Sequence, residues 1–296
     1  MTILRSVAAV MLAASAFLVP ISALAQDARS IVQRADQNAL AQSDSSFSVL
    51  QIATCKFGIS EGKVKCAARP TIKKIESASI TFGAGGRDTK SIAIVLEPAS
   101  ERGIGMLSFA YDDENRDNET WLYLSELGRV KRIVASASSG DSEPVSLFGS
   151  EFTSEDQETG KLDDYTYRLL DTVTYQGRKA FVIEQVPTPE RARKTRYAKT
   201  VTWIDAERYV PLKAEMYDSR DREIRRLIAD KFQQINGVWM ARSITIMNLV
   251  SNRLSNMSMT SVYFGVDIDP ELLSQRALTD TAFRERQLNA LRAQAQ

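Results

Sequence analysis

The segment VPLKAEMYDSRDREIRRLIADKFQQINGVWMARSITIMNLV, residues 210–250, settles how the chain folds. Val210, Leu212, Ala214 and Met216 alternate with Pro211, Lys213, Glu215 and Tyr217. A period of two places alternate side chains on opposite faces of an extended strand, one apolar and the other largely wet. Asp218 to Arg222 and Asn236-Gly237 then interrupt the alternation with turn chemistry, so the segment reads as antiparallel hairpins.

The same period runs outward in both directions. Towards the N-terminus, strands are predicted at 47–57, 63–68, 74–82, 91–97, 105–112, 120–124, 130–135, 165–176, 179–186 and 199–205. Within and beyond the quoted segment they are predicted at 212–218, 223–234, 238–250 and 256–264. No strand–helix–strand alternation appears, which argues against a nucleotide-binding α/β sheet. One antiparallel sheet of so many strands must curl or close, and a curled sheet has a concave face. Few helices are available to cover it. Residues 28–41 form an amphipathic helix with Ile31, Ala35 and Ala39 on one stripe, and Asp269-Pro270 opens a short helical segment. The polar stretch 136–160 covers one end of the sheet, and residues 281–296 are expected to be a weakly structured tail that frays. The domain expected from this pattern spans residues 26–280.

Residues 1–25 carry the marks of a cleavable export signal. Arg5 precedes the apolar run from Val7 to Val19, Pro20 breaks it, and Ala23-Leu24-Ala25 supplies the small-x-small cleavage pattern. Removal of the signal takes away Arg5 alone among the charged residues and leaves acidic and basic groups equal in number. No later stretch is apolar and long enough to span a bilayer, so no stable membrane insertion is expected. Cys55 and Cys66 suit an oxidising compartment, and a bridge closing so short a loop contributes about 2–3 kcal/mol.

Composition removes much of enzymology. The 296 residues include no histidine, which excludes Ser-His-Asp and Cys-His catalysis and every histidine metal site. Two cysteines are too few for a thiolate zinc site or an iron–sulfur cluster. With 38 basic against 37 acidic residues, no global field favours nucleic acid or an anionic membrane. The acidic run Asp112, Asp113, Glu114, Asp117 and Glu119 lacks the Gly and Glu that a calcium loop needs, and reads as a solvated hairpin tip. Neighbours in a strand point apart, so neither Glu155-Asp156 nor Asp163-Asp164 makes a catalytic pair by itself. Gly83 to Gly86 is a turn with no helix after it. Arg191, Arg193, Lys194 and Arg196 form a basic cluster read as a solvated loop, with docking to acidic groups as the sharper alternative. No catalytic residue, metal ligand or cofactor is assigned.

Methionine placement is more informative. Five of the six methionines beyond the signal, Met216, Met240, Met247, Met257 and Met259, fall late in the strand region. Flexible thioethers suit an apolar surface that accepts variable guests. With Ile244, Ile246, Trp203, Trp239 and Phe264 they are expected to line a greasy wall.

Five stretches then resemble the outer-membrane lipoprotein-sorting proteins of the LolA-like superfamily, in the branch associated with RND-type exporters. They are EPASERGIGML (97–107), WLYLSELGRVKRI (121–133), LFGSEFTSED (147–156), DYTYRLL (164–170) and WMARSITIM (239–247). The resemblance implies a curved antiparallel half-barrel with helices over its concave face. It also implies carriage of lipid or lipoprotein acyl chains across the periplasm, in possible partnership with an inner-membrane exporter of the RND type. It brings no catalytic residues. The 28–41 helix and the 136–160 stretch are the expected covers. Two rivals stand: an interaction module with a filled core, and an envelope hydrolase with converging carboxylates.

Overall fold

The computed structural model describes residues 21–40, 44–83, 86–113, 116, 118–133, 144–156 and 161–295. Most of the expected export signal, residues 1–20, lies outside them. Fourteen strands are present, each overlapping one expected from the alternation. They are β1 (Ser45–Ser60), β2 (Lys63–Cys66), β3 (Thr71–Phe82), β4 (Asp88–Glu97), β5 (Gly105–Ala110), β6 (Glu119–Leu124) and β7 (Arg129–Ile133). The second series is β8 (Tyr165–Tyr175), β9 (Arg178–Pro187), β10 (Lys199–Asp205), β11 (Pro211–Tyr217), β12 (Glu223–Ile235), β13 (Val238–Asn248) and β14 (Arg253–Phe264). Asn236-Gly237 and Gln176-Gly177 each make a two-residue hairpin loop with both φ angles positive, as the twist of the flanking strands requires.

All fourteen strands belong to one sheet, in the order β7-β6-β5-β4-β3-β1-β14-β13-β12-β11-β10-β9-β8, with β2 paired to the far end of β1. Two meanders are thus joined where β1 meets β14, Phe47 facing Tyr263 and Ile52 facing Met257.

The curvature follows from helix α1 (Ile21–Leu40). Arg29 pairs with Asp163, just before β8, at 2.5 Å, and Asp36 pairs with Arg87, just before β4. Seven residues of helix rise about 10 Å. The nine strand spacings between β8 and β4 cover about 43 Å in a flat sheet. One helix can touch both only if the sheet wraps around it, so the face beneath α1 is the concave one. α1 begins seven residues before the expected start, within the alanine-rich stretch that follows Pro20 and across the expected cleavage point. Alanine and leucine favour that extension. Among the described residues no helix is long and apolar enough to cross a membrane.

The convex face of β1 and β3–β6 is buried under the C-terminus. A 3-10 turn (Pro270–Leu273), α3 (Gln275–Thr279) and α4 (Thr281–Gln294) bring Leu272, Leu278, Phe283, Leu288 and Leu291 against Phe47, Ile92, Leu107 and Trp121. This corrects the expectation of a fraying tail. The Asp280 side chain accepts the Phe283 N–H and caps α4, while Arg292 forms an ion pair with Glu76 at 2.5 Å. The tail's apolar residues are sparse because they need only one stripe.

Candidate functional site

Register assigns the concave face residue by residue. Leu50, Ile52 and Ile75 point inward from β1 and β3, and Val95 and Met106 continue the strip on β4 and β5. Ala214, Leu227, Ile246 and Ile244 carry it across β11–β13. The strip is apolar because the concave-facing positions in the middle of these strands carry apolar side chains, whereas Ser48, Thr54, Lys73 and Arg225 share that face towards its margins.

Two pieces of the chain roof it. α1 lays Ala28, Ile31, Val32 and Ala35 on Tyr167, Ile183 and Ile204 of β8–β10. The described part of the polar stretch, residues 144–156, lies over the middle and inserts Phe148 and Phe152 among Leu50, Ile52, Ile75 and Ile246. We call this segment the lid. A Ser146–Thr153 bridge shapes it, and Phe148 and Gly149 turn it with successive positive φ angles of 51° and 74°.

Val145 and Leu147 pack beside the two phenylalanines, and polar contacts tie the rest of the lid down. Arg225 and Asp156, both almost fully buried, pair at 2.8 Å, and Arg225 also donates to the Glu151 carbonyl at 2.7 Å. Arg253 and Asn248 donate to the Glu151 carboxylate at 2.6 and 3.1 Å, and the Glu151 N–H donates to Ser255 at 2.9 Å. Glu155 accepts from Thr195 at 2.6 Å and pairs with Arg196 at 2.8 Å. Lys73 donates to the Phe148 carbonyl at 2.8 Å. Burial raises the Asp156 carboxyl above its ordinary value, against the pull of Arg225 and the Thr153 N–H. Burial likewise pushes the neighbouring Tyr197 phenol up to about 12.

A cleft of about 120 Å³ opens beside Phe148, lined by Ile52, Thr54, Thr71, Lys73, Leu147, Gly149, Ser150 and Arg253. That is smaller than a typical small-molecule site of about 300–1,000 Å³. Beneath the lid the concave face is covered by the chain's own Phe148 and Phe152.

The predicted wall divides. Met216, Met240, Ile244, Met257 and Met259 share the concave side by register, Met257 facing Ile52 and Met259 facing Leu50. Met247 does not join them. It faces Leu254 and Arg226 on the other side of the sheet, because it is one residue out of phase with Ile244 and Ile246. Trp203 and Trp239 gather with Tyr175, Val210, Leu212 and Phe232 in a separate cluster, stacked by Lys213 at 4.1 Å and Arg208 at 3.9 Å. The reading missed Phe148 and Phe152, although two aromatics inside a polar stretch were a visible signal. It also missed Arg225 and Arg196 as lid ties.

Glu155 and Asp156 are each engaged by an arginine, Arg196 and Arg225 respectively. Among the described residues no group of three or more Asp, Glu or Cys is placed to hold a metal ion. Cys55 and Cys66 form a disulfide, with Cα atoms 5.8 Å apart.

Comparison with known proteins agrees with this architecture. A DUF1329 family protein from Desulfovibrio piger superposes with a TM-score of 0.72 at 22% identity, covering 86% of this chain and 99% of the other. A putative outer membrane lipoprotein-sorting protein domain from Vibrio parahaemolyticus gives 0.70 at 22% identity, with the same coverage. A LolA superfamily protein from Nitrosomonas europaea gives 0.57 at 20% identity, covering 83% of this chain and 97% of the other. No curated protein matches the sequence. A family model described as uncharacterised-protein-like matches residues 87–280, more than half the chain. The chain therefore belongs to this uncharacterised-protein-like family, and its fold is that of the LolA superfamily.

Proposed function

We propose that the mature chain is a periplasmic, non-enzymatic carrier that holds the acyl chains of a lipid or lipoprotein against its concave face after the lid lifts. One observation carries the reading. An apolar strip is roofed in its middle by a short irregular segment that inserts two phenylalanines, rests Val145 and Leu147 beside them, and is otherwise held by hydrogen bonds and ion pairs. Such ties are exchanged for contacts with water when the lid lifts, each contributing about 0.5–1.5 kcal/mol net, or about 1.5–3 kcal/mol where a charge takes part. Each methylene that replaces a phenylalanine against the strip regains about 0.8 kcal/mol. The lipoprotein-sorting and LolA-superfamily neighbours support the same reading at the level of fold. An inner-membrane RND-type exporter is the partner we propose to supply or receive the cargo.

The test is organic extraction and mass spectrometry of protein purified from a periplasm. Phospholipid or acylated peptide is expected to travel with it. Ile244→Asp combined with Met257→Asp is expected to abolish retention while circular dichroism stays native. A lipid-free wild-type protein that takes up no acyl cargo on incubation with phospholipid or acylated peptide, or full retention in the double variant, overturns the reading. The first result would favour the interaction module, which the closed concave face also fits.

A further inference from the structure

The far end of β1 leaves the sheet. Beyond Lys56 it pairs only with β2, forming a hairpin from Phe57 to Cys66 with no third strand on its free side. Nearly all of residues 56–69 are exposed. A two-stranded hairpin is marginal in water by itself, and here the Cys55–Cys66 bridge staples it. The sheet's core gains nothing from this projection.

The hairpin has two unlike faces. Register puts Phe57 opposite Cys66 and Ile59 opposite Val64, so these four share one face. Ile59 is 76% exposed and Val64 46% exposed. Ile72, 45% exposed, extends that face on β3, and Val250, 73% exposed, sits in the adjoining β13–β14 turn. The opposite face carries Lys56, Lys63 and Lys65. Only Glu61 opposes Lys56, Lys63, Lys65 and Arg69 across the segment, in a chain whose charges otherwise balance.

We propose that the β1–β2 hairpin seats the protein on an anionic phospholipid surface. The aliphatic tip enters the boundary between headgroups and acyl chains, and the lysines reach back to the phosphates. The strength of surface attachment scales with buried apolar area plus attraction to anionic headgroups, and this element carries both. Thr54, Thr71 and Arg253 at the hairpin's base also line the cleft beside the lid, so seating brings that end of the concave face to the membrane. The inference goes beyond the carrier reading and does not depend on the cargo.

Flotation of the periplasmically produced protein with phosphatidylglycerol-rich vesicles tests it, with pure phosphatidylcholine vesicles as control. Wild-type protein is expected to float with the anionic vesicles and to detach as salt rises. Ile59→Asp with Val64→Asp is expected to lower partitioning about tenfold or more. Lys63→Glu with Lys65→Glu is expected to remove the preference for anionic vesicles. All four side chains are exposed, so native circular dichroism and an unchanged content of bound lipid are expected in both variants. Wild-type protein that stays in solution, or variants that float as it does, overturn the proposal. Neither result alters what solvent extraction finds, so the two readings fail separately.

Discussion

Asp205 ends β10 with no exposed surface. Burial pushes its carboxyl up, but the Arg178 guanidinium and the N–H groups of Arg208 and Glu207 outweigh burial and hold it below its ordinary 3.8. A depressed folded value means that the contribution to stability is complete above the ordinary value and is lost as pH falls through the folded one. Asp205→Asn is expected to cost about 1–3 kcal/mol at neutral pH. It should also flatten the acid limb of the stability curve, and urea titrations across pH measure both effects. Gly105 is the second sensitive position. A Cβ there would meet Leu278 at 2.8 Å and Ile94 at 2.9 Å, two side chains already packed in the core. Single positions were where the sequence spoke least. Met247 and Ile246 are apolar neighbours that alternation puts on opposite faces, and only register shows which of the two faces is the concave one.

Among elements, the lid holds the greatest leverage. Replacing Arg225 by alanine leaves Asp156 buried without its counter-ion, a change that costs about 3–5 kcal/mol if the geometry is kept. The lid is expected to undock and so avoid that cost. Amide exchange checks this: the Leu147 and Ser154 N–H groups, bonded to the Phe152 and Val145 carbonyls, should exchange much faster, while those of β3 and β4 stay protected. Strands were legible from alternation alone, since each covers several residues of a period-two pattern. The lid was legible as a polar stretch that covers the sheet, but not in its anchors. Its placement depends on contacts to Lys73, Thr195, Arg225 and Arg253, which lie far apart in the sequence.

For the whole molecule, α4 tells how the two faces share their load. Phe283, Leu288 and Leu291 close the convex core, so removing residues 281–296 is expected to cost several kcal/mol. The effect appears as a lowered thermal midpoint; a merely frayed tail could be removed without one. The curled architecture and the covers of its concave face were readable, whereas coverage of the convex face was not, because α4's apolar stripe is thin and its partners are distant strands.

The order of the sheet has a temporal corollary. β1 is flanked by β3 and by β14, so the strand that opens the sheet closes its ladder only with the one that ends it. The chain from Ser45 to Phe264 must be available before that seam can zip. Such distant pairing makes for slow maturation, leaving the nascent chain with an unfinished, sticky edge that invites chaperone custody.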